Sequence, residues 1–206
     1  EGLTIGAVLE REQPHDVFIS TNKLTMEELP EGARIGTSSL RRIAQIKAFR
    51  SDLVTVDIRG NIETRIRRMK EQNLDGIILA YAGIKRLNLD NLISQVIDDD
   101  LILPAVGQGA IAIEMRKGDE ETKAILKLIN HQPTNLAVTA ERAFLRELEG
   151  GCQVPIAAYS LIEKQQLFIK GLVASLDGQT LYKSSKTGDI DQAENIAKEA
   201  RDKKII

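Results

Sequence analysis

The chain has 206 residues, a formal net charge of −2, 42% hydrophobic residues and 28% charged residues, proportions that exclude a disordered or fibrous class. Aromatics make up 3% and Trp is absent, so the core must be built from Ile, Leu, Val and Ala, which leans towards an α/β architecture. No apolar run approaches the roughly 20 residues that cross a bilayer and no secretory leader is recognisable, so the sequence reads as cytoplasmic with no membrane partner.

Leu3 to Val8 reads as a strand. The chain meets it directly after Glu1, with no initiating Met, which reads as a chain with an upstream segment removed. Arg34 to Thr37 reads as a strand end, and Ser38 to Phe49 as a helix with Leu40, Ile43 and Ala44 turned inward. Leu53 to Ile58 is a β-branched run. Asn61 to Gln72 puts Ile62, Ile66 and Met69 on one helical face, with Asn61 as N-cap. Asp75 to Tyr81 is a buried strand, followed by a helical turn through Ile84 and Leu87 and a loop at Asp98 to Asp100. This alternation predicts βα units on a largely parallel sheet.

Gly107 and Gly109 form a tight turn before a strand over Ala110 to Glu114, and a helix runs from Asp119 to about Asn130. Thr134 to Glu149 is an amphipathic helix stopped by Gly150 and Gly151. Val154 to Ile162, Leu167 to Leu176 and Thr180 to Ser185 read as a three-stranded meander with an Asp177-Gly178 turn, and Asp191 to Lys204 as a closing helix. The last third is thus a small α+β domain.

Charge is unevenly spread. Between Arg34 and Arg86 stand nine Arg and three Lys against five acids, a local balance of +7 that implies an anion-binding half. Arg41 and Arg42 fall in the first turn of one expected helix and Arg65 in the first turns of another, where the helix dipole disfavours cations by up to about 1 kcal/mol each. Thr37, Ser38 and Ser39 precede them, Arg59 ends a strand before Gly60, and Arg86 follows the next strand. Together these residues can converge on carboxylates or phosphates at the carboxyl ends of strands. The competing reading is a set of solvated or paired surface arginines, and Arg50, Arg67 and Arg68 are assigned to it. With Phe49 and Tyr81 the only stacking candidates in this basic stretch, no nucleic-acid partner is expected.

Cys152, the single cysteine, lies in a glycine-rich joint between helix and strand. Such a thiol is accessible to a large reagent, or it is an inert small hydrophobe, and spacing does not decide between the two. His15 and His131 offer no partner for a Cys-His hydrolase, Gly107-Gln108-Gly109 lacks the residues of a phosphate loop, and no metal-ligand spacing occurs.

The stretches Gly36-Thr-Ser-Ser-Leu-Arg-Arg42, Arg59-Gly-Asn-Ile-Glu-Thr-Arg65, Asp75-Gly-Ile-Ile-Leu-Ala-Tyr-Ala-Gly-Ile-Lys-Arg-Leu87, Leu103-Pro-Ala-Val-Gly-Gln-Gly-Ala110 and Leu148-Glu-Gly-Gly-Cys-Gln-Val-Pro155 together resemble the porphobilinogen deaminase (hydroxymethylbilane synthase) family in order and spacing. The resemblance implies a transferase of haem and tetrapyrrole biosynthesis that joins four porphobilinogens head to tail into hydroxymethylbilane with loss of ammonia. It implies a dipyrromethane cofactor attached to Cys152 through a thioether. It also implies that Thr37, Ser38, Ser39, Arg41, Arg42, Arg59, Gly60, Arg65 and Arg86 bind the carboxylates of cofactor, porphobilinogen and growing pyrrole oligomers.

The implied fold is two periplasmic-binding-protein-like α/β domains, the first incomplete, plus a small C-terminal α+β domain with a three-stranded sheet. Residues 1–10 and 107–128 would be the remnant of domain 1, 11–104 domain 2 and 130–206 domain 3. The family's His-Ser-x-Lys-Asp segment, with its catalytic Asp, does not occur among these residues. The expectation is therefore a monomer that needs the upstream segment and is inactive alone. The alternative is a non-catalytic, periplasmic-binding-protein-like module that closes on a small anion.

Overall fold

The computed structural model describes residues 2–148 and 154–192 together with Asn195, Ile196 and Glu199. Three groups of elements make up the fold. In the first, β1 (Leu3–Val8) pairs antiparallel with β7 (Ala112–Arg116), and α4 (Glu120–Lys127) packs on the pair. Asp119 caps α4 by accepting from the Thr122 amide, as a carboxylate at a helix N-terminus should. Ala7, Met115 and Leu126 are the buried centre of this group.

The second group is a five-stranded sheet in the order β4-β3-β5-β2-β6, formed by β2 (Asp16–Ser20), β3 (Arg34–Gly36), β4 (Val54–Val56), β5 (Gly76–Ala80) and β6 (Gln95–Val96). Helices α1 (Leu40–Phe49) and α2 (Ile62–Glu71) supply the crossovers that parallel neighbours require, so β4, β3 and β5 run together. β2 runs against both β5 and β6. Four of the five strands therefore run the same way, as a largely parallel sheet requires, and β2 alone is reversed. β2 went unrecognised in the sequence, and it enters the sheet between β5 and β6 from the first group rather than through a βα unit.

Strand alternation sorts the core. Phe18, Ile35 and Ile78 face Ile46 of α1, whereas Val17, Ile19, Ile77 and Leu79 face Met69 of α2 and Ile84 of α3 (Tyr81–Arg86). The side chains expected inward on α1 also need correction. Ala44 is buried, but Leu40 and Ile43 are only half-buried, and Arg41 and Arg42 take the deep positions.

In the third group α5 (Gln132–Glu147) lies on an antiparallel meander of β8 (Ile156–Glu163), β9 (Gln166–Ala174) and β10 (Leu181–Asp189). The two-residue turn Lys164-Gln165 has positive φ at both positions, the geometry of the hairpin turn that matches strand twist. Phe144 of α5 sits over Gly171, where a Cβ would come within 2.3 Å of its ring. The opposite face of the meander packs Ala157, Leu172 and Ala174 against Ala44 and Leu103 of the second group. Asn195, Ile196 and Glu199 are helical, while the rest of the expected closing helix, from Ala193 onward, lies outside the described residues.

Two crossover segments join the first group to the others, and they run side by side. Leu9 N donates to Ile111 O at 2.9 Å and Glu12 N to Gly109 O at 3.1 Å. Glu141 of α5, fully buried, accepts from Arg11 at 2.6 and 3.2 Å, from Gly107 N at 2.7 Å, and from Ser160 N at 2.8 Å. Such a carboxylate tolerates burial because its lone pairs are all engaged.

Candidate functional site

The turns that follow β3 and β4 meet at the carboxyl edge of the sheet. Ser38 Oγ donates to Ile58 O at 2.7 Å and accepts from Ile58 N at 3.1 Å, which ties the two turns together. Thr37 is buried and its Oγ1 accepts from Ser39 N at 3.3 Å. Ser39 is the N-cap of α1, yet its side chain makes no capping bond and the first turn holds no acid. The positive end of α1 thus lacks both the capping side chain and the first-turn acid that would offset it.

Beneath this end lies a buried charge cluster. Asp16, at the start of β2, is fully buried. Its Oδ1 accepts from Arg42 Nη2 at 2.7 Å and from Gln108 Nε2 at 2.8 Å. Its Oδ2 lies 2.8 Å from Arg41 Nη1, a close ion pair off hydrogen-bond geometry. Burial alone would raise the Asp16 carboxyl, but the charges of Arg41 and Arg42 and their hydrogen bonds outweigh it and hold it below the ordinary 3.8. Burial likewise pulls Arg41 below its usual value.

Arg41 spends its remaining donors inside the protein, on Leu103 O at 2.6 Å and Gln108 Oε1 at 3.3 Å. Arg42 gives Nη1 to Ile78 O at 2.9 Å, but its buried Nε has no hydrogen-bond partner among the described residues. Two guanidinium groups and one carboxylate leave the cluster with surplus positive charge next to an orphaned donor.

Arg65, in the first turn of α2, lies within electrostatic reach of this cluster. Partial desolvation and then the charge of Arg42 lower it, with Asp57 opposing. Its Nε donates to Gly60 O at 2.8 Å, which leaves the two terminal nitrogens for a fork. Gly60 has φ +117°, a conformation only glycine holds comfortably, and Asn61 caps α2 by accepting from Thr64 N at 2.8 Å. Arg59 is exposed and pairs loosely with Asp57 at 3.3 Å. Arg86 ends α3, one helix length from that edge, and lines a cleft of about 400 Å³ with Glu12, Lys85 and Gly109 to Ile111. Arg50 pairs with Asp52, Arg67 with Glu71, and Arg68 donates to Arg59 O. Cys152 lies outside the described residues.

Residues 1–124 match the family model described as porphobilinogen deaminase, dipyromethane cofactor binding domain, and residues 135–205 match porphobilinogen deaminase, C-terminal domain. The chain belongs to the porphobilinogen deaminase family. It is 56% identical over 196 residues to the porphobilinogen deaminase of Carboxydothermus hydrogenoformans, covering 95% of this chain and 63% of the relative. It is 55% identical over 198 residues to that of Syntrophomonas wolfei, covering 96% and 65%. The chain therefore spans less than two thirds of the length of these porphobilinogen deaminases.

Thr37 to Arg86 fall within the first porphobilinogen deaminase match and Cys152 within the second. Sequence reasoning missed Asp16 as a partner for the arginines and saw Gln108 only as part of a turn. One signal pointed to Asp16: an acid that opens an apolar strand must be paired if it is buried. Among the described residues, Asp98, Asp99 and Asp100 could approach a metal, but Lys170 Nζ contacts Asp99 at 3.2 Å and Asp100 at 2.8 Å. No described helix is long and apolar enough to cross a membrane.

Proposed function

We propose that the chain is the greater part of a hydroxymethylbilane synthase, and that its carboxyl-edge site grips the carboxylates of a dipyrromethane cofactor and of the pyrroles added to it. One observation carries this reading: a buried cluster with surplus positive charge and an orphaned Arg42 Nε, beside the uncapped N-terminus of α1. A protein leaves a buried cationic donor unpaired at a cost of kilocalories, and an anionic ligand removes that cost. A carboxylate suits it better than a neutral group, because guanidinium forks bind carboxylates through two parallel bonds.

When bound, the cofactor supplies acetate and propionate groups and a free α-carbon to which porphobilinogen is joined with loss of ammonia. Arg42 and Arg65 bind carboxylates from below and beside the N-terminus of α1, and the amides of that helix complete the shell. Arg59 reaches the outer edge, and Arg86 serves carboxylates in the neighbouring cleft. Arg41 acts as a strut, since Asp16, Leu103 and Gln108 already engage it. Cys152 holds the primer through its sulfur, so that each addition becomes an intramolecular event of high effective concentration.

We assign residues 1–10 with 107–128 to domain 1, 11–104 to domain 2 and 130–206 to domain 3, the first two of periplasmic-binding-protein type, in a cytoplasmic monomer. The catalytic carboxylate is assigned to the family's His-Ser-x-Lys-Asp segment, which does not occur among these residues.

Intact mass tests the assignment. Protein produced in cells that make porphobilinogen should exceed its sequence mass by two pyrrole units, and Cys152→Ser should abolish the excess. A free Cys152 thiol in a chain that still binds a polycarboxylate would instead establish the simple binding module. Arg42→Met should weaken binding of butane-1,2,3,4-tetracarboxylate by about tenfold or more, the loss of one charge-assisted contact; unchanged affinity would remove the anion site.

A further inference from the structure

The turn Gly107-Gln108-Gly109 is conspicuous in the sequence, and so far Gln108 has entered only as a partner of Asp16 and a brace for Arg41. Both glycines have positive φ, +72° and +85°, and a Cβ on Gly109 would come within 2.5 Å of Glu12 O. The inverted turn sends the Gln108 side chain inward, between the two crossover segments and the buried cluster. Its Nε2 donates to Pro14 O at 2.6 Å and to Asp16 Oδ1 at 2.8 Å, and its Oε1 accepts from Arg41 Nη2 at 3.3 Å. Both amide protons and an amide lone pair are therefore spent on the cluster and its backbone.

The carboxylate oxygen that Gln108 holds is also the one that receives Arg42 Nη2. A carboxylate turns easily about its last torsion, and two donors converging on one oxygen stop it. We infer that Gln108 is a positioning residue for anion binding: it fixes the rotation of the Asp16 carboxylate and, through it, the aim of the Arg42 guanidinium. The inference rests on the reading of Arg42 as a ligand donor. It also explains why the turn needs glycine on both sides. Gln108 is delivered from the crossover and Arg42 from α1, so the anion site is set by a residue outside its own sheet and helices.

The test measures calorimetric affinity for butane-1,2,3,4-tetracarboxylate, well below the unfolding midpoint of each protein, for wild type, Gln108→Met, Arg42→Met and the double variant. Gln108→Met should bind about tenfold more weakly, the penalty of a misaimed donor. In the Arg42→Met background the same change should make no difference beyond about twofold, as expected for two residues acting along one line. Wild-type affinity in Gln108→Met, or a tenfold loss that persists without Arg42, overturns the inference while leaving the anion site standing. Wild-type affinity in Arg42→Met removes the site and the inference with it. Gln108→Glu, which keeps the acceptor for Arg41 but loses both donors, carries the same prediction should the Met variant not fold.

Discussion

Asp16 sits between two guanidinium groups with no access to water. Such a triad is poor evidence of net stabilisation, because desolvating three charges offsets their attraction, but removing the one anion strands two buried cations. Asp16→Asn should therefore cost about 3–5 kcal/mol in urea unfolding. The pH dependence has a definite sign. The Asp16 carboxyl is depressed below 3.8 in the folded protein, so its contribution is complete above that value and is lost as pH falls through the lowered folded value. Stability of the wild type should drop in this acid range, and Asp16→Asn should lack that part of the drop. An acid-unfolding curve of the variant with the same slope as wild type would contradict the assignment.

Helix α2 shows how local chemistry prepares one wall of the site. Its N-cap, its apolar face and its stop near Gln72 were all legible in the sequence, because each depends on residues within one or two turns. Asn61→Ala should cost about 1 kcal/mol of stability and speed exchange of the Thr64 amide, which the Asn61 side chain now receives. Helix α1 was legible only in extent. Periodicity placed aliphatic residues inward, whereas the structure buries Arg41, Arg42 and Gln45 against partners 25 to 67 positions away in sequence. A pattern of apolar residues carries no information about a charged side chain whose counterion comes from another strand.

Glu141 joins the groups into one molecule. From the middle of α5 it binds Arg11 on one crossover segment, Gly107 on the other and Ser160 on β8. Glu141→Gln keeps the shape but leaves Arg11 half-buried without its counter-charge. It should lower stability by about 3 kcal/mol and accelerate hydrogen exchange at Gly107 and Ser160, the amides it now accepts from. Slow exchange at both amides in the variant would show that the crossover is held by other contacts. Because the Gln108 turn follows Gly107 directly, loosening at Glu141 should also reach the Asp16 cluster.

What the linear order of residues determined was everything that propagates locally: strands β1, β3, β4, β5 and β7, helices α2, α4 and α5, the C-terminal meander, the basic half of the chain and the family motifs. Tertiary structure alone decided which arginines are buried against partners, as Arg41 and Arg42 are, and which stay at the surface, as Arg59 does. It also inserted β2 against its neighbours and recruited the buried Asp16 and Glu141 and the partly buried Gln108 as partners. The physical reason is that a hydrogen-bonding or charged group acquires its role from what lies within about 3 Å of it, and for these residues that neighbour is tens of positions away along the chain.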